Sequence, residues 1–208
     1  MLKARGISIR IEDRVLAAPF SFHVKPGDVI ALMGVSGSGK SSLIRTLTRE
    51  RELGDGELDL ESNWAEIPQN ESLNPLLSAL DNAEAGLLKN LGFWSAFARR
   101  REGRPRLRQL LSEWGLRNPD QPVSSLSGGE KQRLCIVRAL AMDWKILYAD
   151  EPISQLDEAN ARKALKALRE EAIRRQGAII WALHQPDLAR EFSDRILTFD
   201  GRGGVSES

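Results

Sequence analysis

The sequence predicts an α/β domain built around a mainly parallel β-sheet. Short apolar runs alternate with stretches of helical period, and the first of those runs feeds directly into a glycine-rich loop. The runs VIALMG (29–34), KILYAD (145–150) and AIIWAL (178–183) have the apolar interiors of strands covered on both faces. With 208 residues and 41% hydrophobic content, the chain is sized for one domain carrying a small inserted lobe.

Taken in order, the first stretch alternates apolar and polar residues at Ile7, Ile9 and Ile11, and Val15-Leu16 and FSFHV follow. Pro26, Gly27 and Asp28 form a turn, and the runs on either side of it read as paired strands. VIALMG then enters the glycine-rich loop, after which SSLIRTLTRE has helical spacing at Leu43, Leu47 and Glu50. Gly54 and Gly56 break the chain before the short strand GELDL. From Leu73 to Val123 the character changes to Leu, Ala and Arg at helical periods, broken at Gly92, Gly103, Pro105 and Pro119. This stretch predicts a helical subdomain over 71–126, inserted into a core formed by 1–70 and 127–208, with an antiparallel β subdomain at the N-terminal end. A helix begins at Ser127, with Leu134, Val137 and Leu140-Ala141 on its inner side. Glu158 to Arg175 is a charged amphipathic helix, and ILTFDG reads as the last strand.

Composition narrows the function. A formal net charge of +1 supplies no field for holding nucleic acid, which is therefore not an expected partner. The apolar runs are strand-sized, and MLKARGISIRIEDR has charges scattered through it and no apolar signal core. The single cysteine, Cys135, has no internal partner and reads as core packing, in keeping with a reducing compartment. The expectation is a cytoplasmic protein whose membrane role, if any, comes through a partner. The basic run ARRREGRPRLR (98–108) reads first as a solvated edge of the helical lobe; the alternative is a face turned to a membrane subunit near anionic headgroups. It lacks the interleaved aromatics of a base-stacking surface, and the five tryptophans are dispersed along the chain.

Chemistry concentrates in three places. Gly34, Val35, Ser36, Gly37, Ser38, Gly39, Lys40, Ser41 and Ser42 fit the pattern G-x-x-x-x-G-K-[ST], with a strand before and a helix after. In such a loop the glycines let backbone N–H groups curl around phosphates, the lysine reaches the β- and γ-phosphates, and the Ser41 hydroxyl can ligate Mg²⁺. ILYADEP delivers Asp150 to the C-terminal end of a buried strand, where ligands of parallel sheets collect, so Asp150 is placed for Mg²⁺ and Glu151 for the attacking water. The third place is SLSGGEKQR. Ser127, Gly128 and Gly129 open a helix whose first turn can grip an anion, yet no lysine accompanies them. Alone, the triplet reads as a helix cap. Beside a complete phosphate loop, it reads as the closing wall of a nucleotide pocket belonging to a second copy of the domain.

With these motifs in this order, the chain resembles the nucleotide-binding subunits of ATP-binding cassette (ABC) proteins, whose signature is LSGGQ where this chain has LSGGE at 126–130. The resemblance covers essentially the whole chain. It implies the P-loop NTPase fold of ABC type, ATP with Mg²⁺, and hydrolysis coupled to transport. By the same resemblance, Gln69 is the Q-loop glutamine, sensing Mg²⁺ and linked to a transmembrane partner, and Asp157 of SQLD faces the second chain. His184 is the switch histidine at the γ-phosphate. The implied partners are a second copy in a homodimer, integral membrane permease subunits on the inner face of the membrane, and a substrate-binding protein. ALHQPDLAREFSDRILTF and DNAEAGLLKNLGFWSAF are similar to the matching stretches of phosphonate-import ATPases, which implies an importer of phosphonate or a related small anion. A soluble non-transport ABC ATPase and the ATPase of a small exporter are the alternatives. A GTPase would require N-K-x-D, which is absent, and would leave LSGGE without a purpose.

The chain also departs from the family pattern. Where an aromatic residue usually stacks on adenine, the counterpart is Ile11, with Arg10 beside it. ESNWAE replaces a longer hairpin before the Q-loop, and the sequence stops soon after its last expected strand, so no C-terminal regulatory domain is expected. An aliphatic contact keeps apolar burial and loses ring stacking, which should weaken binding and blur base selectivity. Introducing the ring through Ile11→Tyr is therefore expected to change ATP affinity relative to GTP in a binding titration; unchanged affinities for both would discard the idea.

Overall fold

The computed structural model describes residues 1–11, 14–70, 72–88 and 93–208, with 87, 88 and 93–102 described for backbone alone. The apolar runs form the middle of a six-stranded sheet. Its strands are β3 (Val29–Gly34), β5 (Trp64–Ile67), β6 (Ile146–Asp150), β7 (Ala178–Ala182), β8 (Arg195–Phe199) and β9 (Val205–Glu207), in the order β5-β6-β7-β3-β8-β9. All neighbours are parallel except β9, which pairs antiparallel with β8. A second, antiparallel sheet has the order β2-β1-β4, from β1 (Leu2–Ile11), β2 (Arg14–Val24) and β4 (Glu57–Leu60). Ile7, Ile9 and Phe22 of this sheet share one core with Ile30, Leu32, Ile180 and Phe199 of the other.

The chain divides into two units. One comprises 1–69, 144–152 and 165–208 and contains both sheets, α1 (Lys40–Leu47) and α6 (Pro186–Phe192). The other, 70–143 with 153–164, contains α2 (Ala79–Leu88), α3 (Phe93–Glu113) and α4 (Gly128–Ala141). The fifth helix, α5 (Glu158–Arg175), begins in the second unit and ends in the first. Whereas the sequence reading ended the helical lobe at 126, α4 belongs to the second unit because it packs directly on α2. A Cβ at Gly86 would lie 2.8 Å from Met142 and 2.9 Å from Arg138.

Several local expectations are corrected. The turn at 26–28 does not join paired strands; β2 pairs with β1, while β3 pairs with β7 and β8, so the turn carries the chain from one sheet to the other. The ESNWAE connection holds a strand of its own, β5, whose short half-polar run WAEI offered little periodicity to read. Strand β1 slips register between Ile9 and Arg10, after earlier shifts on either side of Ile7, which breaks the strict alternation and leaves Ile11 38% exposed while Ile7 and Ile9 are buried. The first helix stops at Leu47, since Arg49 takes a left-handed backbone (φ 63°) and Glu50 turns its N–H back to the Arg45 carbonyl at 2.9 Å. Gly103 and Pro105 do not break α3, because buried Leu107 and Leu111 beyond them outweigh the one amide that Pro105 lacks. Gly92 lies outside the described residues. On α4 the buried face includes Ala139 rather than Leu140-Ala141. After β8 the chain returns as β9.

A carboxylate ties the start of the central strand in place. Asp194 accepts the Val29 N–H at 2.9 Å and pairs with Arg169 of α5 at 2.6 Å, while its own N–H donates to the Val29 carbonyl at 2.8 Å. Asp194→Ala strands the Val29 amide and leaves Arg169 without its anion. The expected cost is about 2 kcal/mol of stability, read as a shift in the urea midpoint with unchanged slope; Asp194→Asn should lose less, because it can still accept from Val29.

Candidate active site

The glycine-rich loop takes its shape from positions that tolerate no side chain. Strand β3 ends at Gly34, where φ is 139° and a Cβ would lie 2.4 Å from the Phe199 carbonyl oxygen. Gly39 caps α1 in a left-handed conformation, φ 113°, so the loop's N–H groups turn toward the opening that the helix start faces. Lys40, buried at 5% exposure, folds back and donates to the carbonyls of Gly34 (2.8 Å) and Val35 (3.0 Å). Burial lowers the pKa of its ammonium, while the charges of Glu151 and Asp150 act in the opposite direction. The loop is thus closed by its own cation before any ligand arrives.

Strand register brings the acidic residues to the same place. Asp150 pairs with Ala182 across β6 and β7, so the residues that follow the two strands, Glu151 and His184, emerge side by side. Glu151 Oε1 lies 2.7 Å from His184 Nε2 and accepts from Gln69 Nε2 at 3.2 Å. Glu151 also holds a left-handed backbone (φ 54°), a conformation that costs a non-glycine residue about 1 kcal/mol or more and marks an over-determined position. Asp150 is 4% exposed and accepts a hydrogen bond from the Ser41 hydroxyl. Burial raises its carboxyl pKa, and among the described residues its Oδ1 has no hydrogen-bond partner.

A cleft of about 450 Å³ opens over these groups, lined by Ser36, Gly37, Gly39, Lys40, Ser41, Ser42, Gln69, Glu151 and His184, together with Ile11, Arg14 and Leu16. Ser38 turns inward, 2% exposed, with its N–H donating to the Val35 carbonyl at 3.2 Å, and Val35 is 65% exposed outside the cleft. Arg14 escaped the sequence reading, which had looked to Arg10 as the neighbour of Ile11. In the structure Arg10 pairs with Asp55 at 2.9 Å. Arg14 is the residue set opposite Ile11 across the β1–β2 pair. Only the hairpin register, invisible in the sequence, distinguishes them.

Ser127, Gly128, Gly129 and Asp157 belong to the second unit. Ser127 caps α4 in a closed box: its hydroxyl donates to Glu130 Oε2 at 2.7 Å, its N–H donates to the same atom at 2.9 Å, and the Glu130 N–H donates to Ser127 Oγ at 3.4 Å. The Gln155 segment lies close against both glycines: a Cβ at Gly128 would fall 1.9 Å from Oε1 at the movable end of the exposed Gln155 side chain, and one at Gly129 would lie 3.1 Å from the Gln155 carbonyl oxygen. Buried Gln132, also missed in the sequence, accepts from the Gln155 N–H at 2.8 Å and from the Ser154 hydroxyl at 3.3 Å, pinning this loop to α4. Asp157 caps α5 by accepting from the Asn160 N–H (2.8 Å) and side-chain amide (2.7 Å), which hold its pKa down. Two arginines in the described part of the basic run are paired within the lobe: Arg104 with Asp81 at 2.8 Å, and Arg108 in a two-point contact with Asp120 at 2.8 and 2.7 Å. The side chains of 98–102 lie outside the described residues.

The cap makes a measurable claim. The Ser127 N–H first, and then its hydroxyl, hold the Glu130 carboxyl below the usual carboxylate range. A depressed acid pKa adds stability above the unfolded value and loses it as pH falls through the folded one. Ser127→Ala is expected to cost about 1 kcal/mol near neutral pH. That difference from the unmodified protein should shrink as thermal melts are repeated at successively lower pH and the Glu130 carboxylate takes up its proton.

The chain is similar to known proteins over most of its length. The hypophosphite import ATP-binding protein HtxD of Stutzerimonas stutzeri is 32% identical over 221 residues, covering 97% of this chain and 65% of that protein. A phosphonates import ATP-binding protein, PhnC of Hydrogenovibrio crunogenus, is 34% identical over 194 residues, covering 85% of this chain and 71% of its own length. Among solved structures, the dimeric cassette MJ0796 of a bacterial ABC transporter is 27% identical, covers 100% of this chain and 98% of that one, and superposes with a TM-score of 0.85. A post-hydrolysis dimer of the same cassette, bound to ADP and Pi, is 25% identical with a TM-score of 0.82. Residues 17–154 match the ABC transporter family itself, and since that is well over half of the chain, this protein belongs to the ABC transporter family as an ATP-binding subunit.

Proposed function

We propose that the chain hydrolyses ATP to ADP and phosphate as one of two identical cytoplasmic subunits that drive a membrane importer of phosphonate or a related small anion. The observation that carries this reading is the Glu151 carboxylate, gripped between Gln69 and His184 at the mouth of the lysine loop. Its strained backbone and two side-chain partners fix one carboxylate oxygen where a water beside a terminal phosphate would need a proton acceptor.

The remaining roles follow from placement. Backbone N–H groups of Gly37 to Ser42 and the Lys40 ammonium receive the phosphates; Lys40 gives up its contacts with the loop carbonyls to do so. His184 and Gln69 orient Glu151 and flank the γ-phosphate. Asp150 offers a buried carboxylate oxygen without a hydrogen-bond partner, next to the Ser41 hydroxyl, a donor set of hard oxygens that suits Mg²⁺. Ser41, Asp150 and Gln69 would hold the ion, which when bound neutralises charge on the β- and γ-phosphates. Ser127, Gly128 and Gly129 of a second copy, with Asp157 facing the pair's interface, close the pocket, so binding of ATP favours association and hydrolysis releases it. Dimeric MJ0796 supports this pairing. Permease subunits on the inner face of the membrane receive the motion, and among the described residues no helix is long and apolar enough to cross a bilayer by itself. A substrate-binding protein would deliver the anion, and the similarity to the hypophosphite importer subunit HtxD and the phosphonate importer subunit PhnC supports a small phosphorus oxyanion.

Glu151→Gln tests the reading. It keeps the shape and the hydrogen bond to His184 while removing the base. The variant should bind ATP, lose at least about a hundredfold in turnover, and accumulate as a dimer on size exclusion in ATP. Undiminished turnover would show that another group accepts the proton.

A further inference from the structure

Part of the cleft lining is phosphate-loop and acid-base chemistry and part is not. Beyond the glycine-rich loop, Gln69, Glu151 and His184, the lining consists of Ile11, Leu16 and Arg14, with no aromatic ring among them. Leu16 is spoken for: it is 7% exposed, and its Cβ sits 3.1 Å from where a Cβ on Gly39 would be, so it forms the floor against the loop. Ile11 is 38% exposed and offers a small aliphatic edge. Arg14, exposed and set opposite Ile11 in the hairpin register, is the flat group among these three lining residues. Its basic neighbours in sequence and space are committed elsewhere, Arg10 to Asp55 at 2.9 Å and Arg51 to the Arg10 carbonyl at 3.2 Å.

We infer that Arg14 is the base-contacting residue of this nucleotide site, its planar guanidinium stacking on the purine face where a ring would otherwise lie, with Ile11 as the apolar edge beside it. The inference rests on reading the cleft as a nucleotide site. A guanidinium is planar, delocalised and weakly hydrated, and stacks on aromatic faces in a way that a lysine ammonium does not. Such a stack is tolerant of base identity, because every purine presents a π-face. The specificity that follows is for purine nucleoside triphosphates as a class, with ATP and GTP bound within a few-fold of one another. Charge alone would give a different outcome, since a cation that merely attracted phosphate would act equally on a ligand without a base.

Calorimetric titration of ATP, GTP and inorganic tripolyphosphate separates the possibilities. Arg14→Ala is expected to weaken ATP and GTP by about tenfold and leave tripolyphosphate within twofold. Arg14→Lys should behave like Arg14→Ala, because it retains the charge and loses the plane, while Arg10→Ala should change none of the three. The inference is overturned if Arg14→Ala leaves both nucleotides unchanged, if it weakens tripolyphosphate as much as ATP, or if Arg14→Lys restores nucleotide binding. Circular dichroism on each variant reports folding, and Arg14→Gln supplies a second neutral replacement at this exposed position should Arg14→Ala melt early. Lys40→Ala tests the underlying reading separately. It should abolish binding of all three ligands, and normal binding by that variant would refute the nucleotide site whatever Arg14 does.

Discussion

The side-by-side ending of parallel strands is the constraint from which the rest of this molecule follows. With Asp150 registered against Ala182, and β3 paired to β7 on one edge and β8 on the other, the C-terminal ends of the central strands open onto one place. The lysine loop leaves β3 there, Asp150 and Glu151 leave β6, and His184 leaves β7. A slip of one residue in any of these pairings would turn the exit side chains to the opposite face. The buried Val, Ile, Ala and Trp side chains of β3, β6 and β7 oppose such a slip, since they are covered on both faces.

On that frame the site is held under tension from both signs of charge. Lys40 loses solvation and gains two carbonyls, Asp150 loses solvation and gains one hydroxyl, and their mutual attraction offsets part of each burial cost. In the proposed function a polyphosphate with a divalent cation would meet both groups, its anionic oxygens facing the ammonium and its cation facing the carboxylate. The left-handed Glu151 beside them is a further strained element of the same site.

The second unit solves a different problem. In the proposed dimer the start of α4 would face a phosphate held by another copy, and it has to stay folded without that contact. Glu130 provides this by accepting from both the N–H and the hydroxyl of Ser127, a role for which a carboxylate is better suited than a neutral amide. The Gln155 side chain rests on Gly128 and the Gln155 carbonyl on Gly129, and Gln132 holds that loop in place. The glycines thus leave room for the Gln155 segment to lie against the start of α4.

Motif chemistry was legible in the sequence because it depends on local spacing. The lysine loop, the acidic pair after an apolar run and the Ser-Gly-Gly cap all draw their meaning from residues a few positions apart, and the order of elements gave the α/β class and the parallel core. Pairing between distant segments was not legible. The turn at 26–28 looked like a hairpin because sequence shows a turn and two apolar runs, whereas the run after it joins partners more than a hundred residues away and the run before it joins β1. Four-residue β5 carries too few residues to reveal a period, and Pro105 sits in a helix that packing sustains. The contrast between Arg10 and Arg14 has the same origin: a bulged register, set by how β1 and β2 bury their apolar faces, decides which guanidinium reaches the cleft. Sequence determined which chemical groups are present and their local conformations; tertiary structure decided which of them meet, because long-range contacts are chosen by the burial of whole faces and not by neighbours along the chain.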